Sequence, residues 1–116
     1  MEGSVIITME KNICLICGFD GLEEPPYYED YAGSNEICIC CGFEFGVDDY
    51  DCDEFNHNHL TDKEIVEKSH ILWRKKWVER DFKLFAPENF PDYMKNGDFL
   101  KTEEAANQLK NLELKL

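Results

Sequence analysis

Two short cysteine motifs of the same pattern constrain this chain more than any other feature. The first motif runs from Cys14 to Phe19 and the second motif from Cys38 to Phe43, and each reads Cys-x-x-Cys-Gly-Phe. Two residues between the cysteines let one tight turn present both sulfurs to a single ion, and the following glycine can adopt the positive φ that turns backbone amides toward the sulfurs. Two such turns predict a closed tetrahedral four-thiolate site. The predicted ligands are Cys14, Cys17, Cys38 and Cys41.

The predicted ion is one structural Zn²⁺. Four thiolates leave no coordination position for water or substrate, so the ion would not act as a Lewis acid. Metal binding would also supply folding energy to a chain of 116 residues, which buries only a modest core. Iron is the less favoured alternative, because rubredoxin-type electron carriers use the same paired turns. The long region after the second motif favours zinc, since a minimal electron carrier would not need it.

The two remaining cysteines, Cys40 and Cys52, are interpreted as partly buried thiols without a metal. An alternative is that Cys52 joins His57 and His59 in a second metal site, because two histidines two residues apart face the same side of an extended segment. We expect reduced thiols rather than disulfides, since nothing in the sequence indicates export.

The charge of the chain is concentrated in one segment. The net charge is −13, and the acidic segment from Asp20 to Glu64 carries 14 acidic residues and a single base, Lys63, which accounts for all of it. Such a field repels nucleic acid and attracts basic partners. The alternative is that the acidic segment is a solvated surface that only aids solubility.

The sequence predicts a soluble, cytoplasmic protein without a membrane partner. No stretch approaches the ~18 apolar residues of a membrane span. The apolar run Val5–Ile7 is too short for a signal peptide and has no basic flank.

The pattern of the remaining residues predicts one short strand, Ser4–Thr8, and two helices. Thr61-Asp62-Lys63-Glu64 is a capping box that begins a helix ending near Phe82. Its apolar face contains Val66, Trp73 and Trp77, with His70 as a hydrogen-bonded core residue. The second helix is predicted over Thr102–Glu113, with an apolar face formed by Ala105, Leu109, Leu112 and Leu116.

These elements predict a small α+β fold organised as one compact domain. Residues 1–60 form a zinc-ribbon-like or rubredoxin-like four-cysteine module with acidic loops, and residues 61–116 form a helical extension packed on it. Five basic residues crowd the last turns of the first helix, where they complement its dipole. They are Arg74, Lys75, Lys76, Arg80 and Lys83, which we call the basic cluster.

The motifs resemble the bacterial cysteine-rich CPCC family of small proteins. The resemblance is carried by Cys14–Tyr27, by Glu36–Gly46 with Asp48-Asp49, by Trp73–Trp77 and by Ala106–Leu112. That family usually has proline where this chain has Leu15 and Ile39, which changes the rigidity of each turn but not the number of ligands. The resemblance implies a zinc-ribbon-like module. It also implies a similarity to small proteins found beside bacterial toxin genes, where immunity proteins occur.

No motif of the sequence predicts catalysis, since it contains no nucleophile elbow, phosphate-binding glycine loop or His-Glu-x-x-His helix. The leading interpretation is a non-catalytic, zinc-stabilised module that presents the acidic segment to a basic protein. The partner could be a nuclease-like toxin, in which case the chain is an immunity protein. The alternatives are a zinc-ribbon protein that binds nucleic acid through the basic cluster, which the acidic field opposes, and a rubredoxin-like iron electron carrier. The oligomeric state stays open.

Overall fold

The fold is a small α+β arrangement of two helices and one short hairpin around the cysteine motifs. The computed structural model describes residues 12–29, 31–50 and 60–114. Its elements are, in chain order, α1 (Asp62–Glu79), β1 (Lys95–Asn96), β2 (Phe99–Leu100) and α2 (Thr102–Lys110). The α+β prediction is confirmed at this level, whereas the predicted strand Ser4–Thr8 lies outside the described residues.

Helix α1 begins where the capping box predicts. The Thr61 side chain accepts the Glu64 amide at 3.2 Å, and the Glu64 carboxylate accepts the Thr61 amide at 3.0 Å. On the predicted apolar face, Val66 and Trp77 are buried, as is His70, and Trp73 is partly buried. The capping box and the core position of His70 are therefore confirmed.

Helix α1 ends at Glu79, three residues before the predicted end at Phe82. Asp81 and Phe82 take left-handed backbone angles, with φ of 59° and 63°. The Phe82 amide donates back to the Trp77 carbonyl at 3.0 Å, which closes the last turn and reverses the chain. The helix therefore stops because two successive residues leave the right-handed region, and Phe82 becomes a buried core residue beyond it.

A two-residue turn joins the strands of the hairpin, which we did not predict. β1 and β2 pair antiparallel, with Lys95 opposite Leu100 and Asn96 opposite Phe99. Gly97 supplies the positive φ of 61° at the turn. Gly97-Asp98 is a known signal for a two-residue hairpin turn, but the two-residue strands lack the alternation of apolar and polar residues that would have revealed it.

Helix α2 is three residues shorter than predicted, because residues 111–113 form turns and Glu113 has a φ of 59°. Ala105 and Leu109 are buried, which confirms part of the predicted face, and Leu112 is half-buried. Leu116 lies outside the described residues. The buried Gln108 lies on the same face, where its side chain donates a hydrogen bond to the first cysteine motif.

One buried core contains the cysteine motifs together with side chains from the rest of the fold. It includes Trp77 of α1, Leu100 of β2 and Ala105 of α2, all in one cluster with the cysteines. The four predicted ligands therefore lie at the centre of the packing. No helix in the described part of the chain is long and apolar enough to cross a membrane.

Candidate metal centre

The first motif forms a tight turn that is closed by backbone hydrogen bonds. The Cys14 amide donates to the Phe19 carbonyl and the Gly18 amide donates to the Cys14 carbonyl, both at 2.9 Å. The Ile16 amide points at the Cys14 sulfur at 3.4 Å. Gly18 has a φ of 82°, which a residue with a Cβ rarely adopts.

The second motif repeats this geometry. The Cys38 amide donates to the Phe43 carbonyl at 3.0 Å, and the Gly42 amide donates to the Cys38 carbonyl at 2.8 Å. Gly42 has a φ of 83°, matching Gly18. The repeated sequence pattern therefore encodes a repeated backbone turn.

The two turns bring together the sulfurs of all four predicted ligands. The Cys14 and Cys41 sulfurs are 3.7 Å apart, as are those of Cys17 and Cys38, and the four ligand atoms lie within 4.8 Å of one another. An ion with metal–sulfur bonds of about 2.3 Å in a tetrahedron separates its sulfurs by about 3.8 Å. The spacing of the four sulfurs thus fits a tetrahedral metal ion, and the donor set suits zinc or iron.

Burial closes this group of sulfurs to solvent. Cys14, Cys17 and Cys38 have no exposed surface and Cys41 is 8% exposed. Among the described residues, these four form the group of cysteine, histidine and carboxylate side chains that could hold a metal. A site so enclosed favours a structural role for the ion it could hold.

The thiols also influence one another electrostatically. Burial raises the pKa of Cys17 and Cys41 well above the ordinary value. Burial would also raise the pKa of Cys38, but hydrogen bonds from Cys14, Cys17 and Cys41 lower it well below that value. Burial thus disfavours the thiolate form at Cys17 and Cys41, and a divalent cation is the group that would stabilise thiolates there.

Helix α1 holds both motifs through polar side chains. Arg74 donates to the Ile16 carbonyl at 2.6 Å and to the Leu15 carbonyl at 2.9 Å. The Trp73 indole donates to the Cys41 carbonyl at 3.0 Å. Arg74 therefore does not lie on an open basic face, as the basic cluster suggested, but satisfies backbone carbonyls of the first motif.

Helix α2 covers the first motif from another side. The Gln108 side-chain amide donates to the Cys17 carbonyl at 3.3 Å and to the Cys40 sulfur at 3.4 Å. The Asn111 side chain donates to the Gly18 carbonyl at 2.8 Å. Cys40 is fully buried, rather than partly buried as predicted, and it lies outside the group of four sulfurs that could hold a metal.

The alternative second metal site falls on a part of the chain that the structure does not describe. Cys52, His57 and His59 all lie outside the described residues. The hypothesis that they bind a further ion stays a prediction.

A buried polar network that we did not predict lies beside the motifs. The Tyr27 hydroxyl donates to the Asp49 carboxylate at 2.5 Å and lies 2.9 Å from His70 Nε2. Because that hydroxyl has one proton and gives it to Asp49, Nε2 must carry a hydrogen and donate to Tyr27. Asp49 also accepts the Gly46 amide, at 3.1 Å and 3.0 Å to its two oxygens.

One carboxylate of the acidic segment is part of the core, because Asp49 has no exposed surface. Burial, followed by the charge of Arg74, lowers the pKa of His70 to about 4, so that the imidazole is neutral at physiological pH. Burial and the hydrogen bond to Asp49 raise the pKa of Tyr27. Sequence periodicity could not reveal these partners, since Tyr27 and Asp49 lie in irregular segments far apart in the chain.

Comparison with known proteins identifies two relatives that match most of this chain. The uncharacterised protein YoaQ of Bacillus subtilis (strain 168) is 41% identical over 102 residues, which cover 87% of this chain and 86% of YoaQ. The uncharacterised protein YozI of the same organism is 38% identical over 103 residues, which cover 87% of this chain and 84% of YozI. No protein-family model matches the chain, and no solved structure matches it. On the extent of these two alignments, the chain belongs to the family of YoaQ and YozI.

Proposed function

We propose that this chain is a non-catalytic binding module whose fold is stabilised by one structural zinc ion. The observation that carries the proposal is the group of four buried sulfurs, in which two pairs are 3.7 Å apart. A metal held by four thiolates has no open position for a substrate, so its contribution is to the fold. On this proposal the two turns form a zinc-ribbon-like unit, and membership of the CPCC family stays part of the proposal.

Elemental analysis of gently purified protein tests the metal. We expect one zinc ion per chain and no visible colour. A red protein with charge-transfer absorption would instead identify iron and the electron-carrier alternative. A metal-free protein that keeps its fold would contradict the proposal, and two ions per chain would support the second site at Cys52, His57 and His59.

An exposed part of the acidic segment supports the choice of a basic protein as partner. Glu23, Glu24 and Glu29 are exposed, and so is Tyr28, whose hydroxyl donates to the Glu24 carboxylate at 2.8 Å. Tyrosine is enriched in protein interfaces, and carboxylates around it attract basic surfaces and exclude acidic ones. The stretch from Glu23 to Glu29 is therefore the proposed centre of the interface.

Affinity capture from the native cell tests this surface. We expect a basic protein to be retained by the wild-type chain, to be released as salt rises, and to be lost from a variant with Glu23→Gln, Glu24→Gln and Glu29→Gln. The matched control removes three other exposed carboxylates, through Glu79→Gln, Glu88→Gln and Glu103→Gln. Equal retention by both variants would contradict the proposal.

We propose further that the basic partner is a toxin that acts on nucleic acid, which would make the chain an immunity protein. Such toxins bind phosphates in a basic cleft, and an acidic surface can occupy that cleft. The captured partner should cleave or modify nucleic acid when alone and lose that activity when the wild-type chain is added. A partner without activity on nucleic acid would refute this step and leave the binding module intact.

A further inference from the structure

The structure places the five residues of the basic cluster in three different settings. Arg74 is held by carbonyls of the first motif. Lys76, Arg80 and Lys83 instead line a single cavity beside the second motif. Lys75 is exposed and is not part of the lining. Three of the chain's 12 basic residues thus converge on one concave surface in a protein whose net charge is −13.

The cavity combines these cations with an aromatic wall. Its volume is about 370 Å³, and the aromatic lining consists of Trp73, Trp77 and Phe85. No acidic residue is among its lining residues in the described part of the chain. Small-molecule sites typically have volumes of about 300–1,000 Å³ with apolar walls and a few placed polar groups.

Backbone hydrogen bonds hold the aromatic wall in place. The indole N–H of Trp73 donates to the Cys41 carbonyl at 3.0 Å, and that of Trp77 donates to the Lys83 carbonyl at 3.2 Å. The Phe85 amide donates to the Cys40 carbonyl at 3.0 Å, which fixes the chain carrying Phe85 against the second motif. Both indole donors are therefore already used, and the wall offers ring surfaces rather than hydrogen bonds.

Two of the cations that line the cavity are exposed to solvent. Arg80 and Lys83 are exposed, and the Lys83 ammonium lies 5.7 Å from the centroid of the Phe99 ring. Phe85 is also exposed, at 59% of its surface, although it belongs to the aromatic wall. An exposed aromatic side chain beside convergent cations offers a stacking surface next to an anion-binding rim.

We propose that this cavity binds a small molecule made of a planar aromatic ring with one anionic group, either phosphate or carboxylate. The ring would pack on the apolar wall, and the anion would bind the ammonium and guanidinium groups at the rim. The proposal is independent of the acidic surface and its protein partner, because the cations and aromatic rings that would bind the ligand all lie outside the acidic segment.

Titration with four small probes tests the proposal on the full-length, metal-containing protein. Phenyl phosphate and phenylacetate combine a ring with an anion, benzyl alcohol has the ring alone, and inorganic phosphate has the anion alone. Trp73 and Trp77 are the two tryptophans of the chain and both line the cavity, so intrinsic fluorescence reports directly on it. Calorimetry provides a second measurement that does not depend on quenching.

We expect saturable binding of phenyl phosphate, of phenylacetate, or of both, with at least about tenfold weaker binding of benzyl alcohol and inorganic phosphate. The stronger of the two charged probes identifies the anionic group. Saturation by neither charged probe, in fluorescence and in calorimetry, would overturn the proposal. If inorganic phosphate or benzyl alcohol bound as tightly as the charged aromatic probes, the proposal would also be overturned. The site would then recognise only the charge or only the apolar ring.

Substitutions test whether the probes bind in the cavity. Arg80→Gln and Lys83→Gln should each weaken the charged probe by about tenfold, the scale of one charge-assisted hydrogen bond at a solvated rim. Lys75→Gln removes the same charge from an exposed position of α1 outside the cavity and should leave the affinity unchanged. All three side chains are exposed, so folding should not depend on them. Equal weakening by all three variants would overturn the proposal, because it would indicate attraction by net charge alone.

Discussion

Gly18 lies where helix α2 packs closely against the backbone of the first motif. A Cβ built on Gly18 would lie 1.9 Å from the backbone oxygen of Gln108. The φ of 82° that completes the turn would also strain any side chain. Glycine is therefore needed at this position for two reasons. The backbone angle is positive, and the helix packed against it leaves no room for a Cβ.

Replacing Gly18 with alanine should therefore lower the free energy of unfolding by more than replacing a glycine that has a positive φ but open space around it. Gly97 has a φ of 61°, and a Cβ added there would meet nothing within 4 Å. The variant Gly97→Ala therefore measures the cost of the positive φ alone. We expect Gly97→Ala to lower the free energy of unfolding by about 1 kcal/mol and Gly18→Ala by about 3 kcal/mol or more. Denaturant unfolding of both variants measures the difference, and equal losses would contradict the packing argument.

His70 should make stability depend on pH. Its pKa falls from 6.5 to about 4 on folding, so the unfolded chain binds more protons in that interval. The stability contribution is present above the unfolded pKa and is lost as pH falls from 6.5 toward 4. Between about pH 7 and about pH 5 the loss should be about 2 kcal/mol.

The variant His70→Gln tests this, because glutamine can still donate to Tyr27 but does not titrate. Wild-type protein should lose about 2 kcal/mol more than the variant over the same pH interval in denaturant unfolding. Parallel curves for the two proteins would show that other groups, such as metal-binding thiols, cause the acid sensitivity.

At the scale of elements, helix α2 acts as a cover for the cysteine turns. The Gln108 amide satisfies the Cys17 carbonyl, and Asn111 satisfies the Gly18 carbonyl. Both acceptors lie in the first motif, more than 90 positions earlier in the chain. The stability of this helix and the protection of the motif are therefore coupled.

Removal of the Gln108 side chain should make helix α2 detach from the cysteine turns more often. We expect Gln108→Ala to transfer its metal to a chelator about tenfold faster than wild type, since an unsatisfied buried carbonyl costs about 1–3 kcal/mol. Glu103→Ala, at an exposed position of the same helix, is the matched control and should not change the rate. The rate is followed with a coloured chelator, and equal rates in the two variants would contradict the role of Gln108.

The elements also show what the sequence could and could not predict. The start of α1 and the grouping of the four cysteines follow from local patterns, a capping box and two repeated turns. The end of α1 could not be predicted, because Asp81 and Phe82 both adopt left-handed angles, which are uncommon for residues other than glycine and most unusual for a bulky residue such as Phe82. The network of Tyr27, Asp49 and His70 was missed for a related reason, since its contacts are set by tertiary packing rather than by spacing along the chain.

At the scale of the whole molecule, the four sulfurs and the apolar core are one structure. The ligand cysteines pack in the same cluster as Phe43, Trp77 and Leu100. On the proposed function, removal of the metal should therefore disturb the entire core rather than one loop.

Two cysteine variants separate ligation from packing. Cys17→Ser should lose the metal and unfold cooperatively, whereas Cys40→Ser should keep one metal ion and a folded core, because Cys40 lies outside the four-sulfur group. The two substitutions make the same chemical change at two fully buried positions. Native mass spectrometry and circular dichroism measure both effects, and metal loss in Cys40→Ser alone would overturn the ligand assignment.

The distance along the chain between the cysteine turns and their cover has a consequence for biosynthesis. The ribosome releases residues 14–41 well before it makes Gln108 and Asn111, which later close over them. During that interval the thiols face solvent and can capture an ion directly. An ion that loads the newborn chain would therefore need no opening of the finished protein, whereas exchange of an ion held in the finished protein would require α2 to detach first.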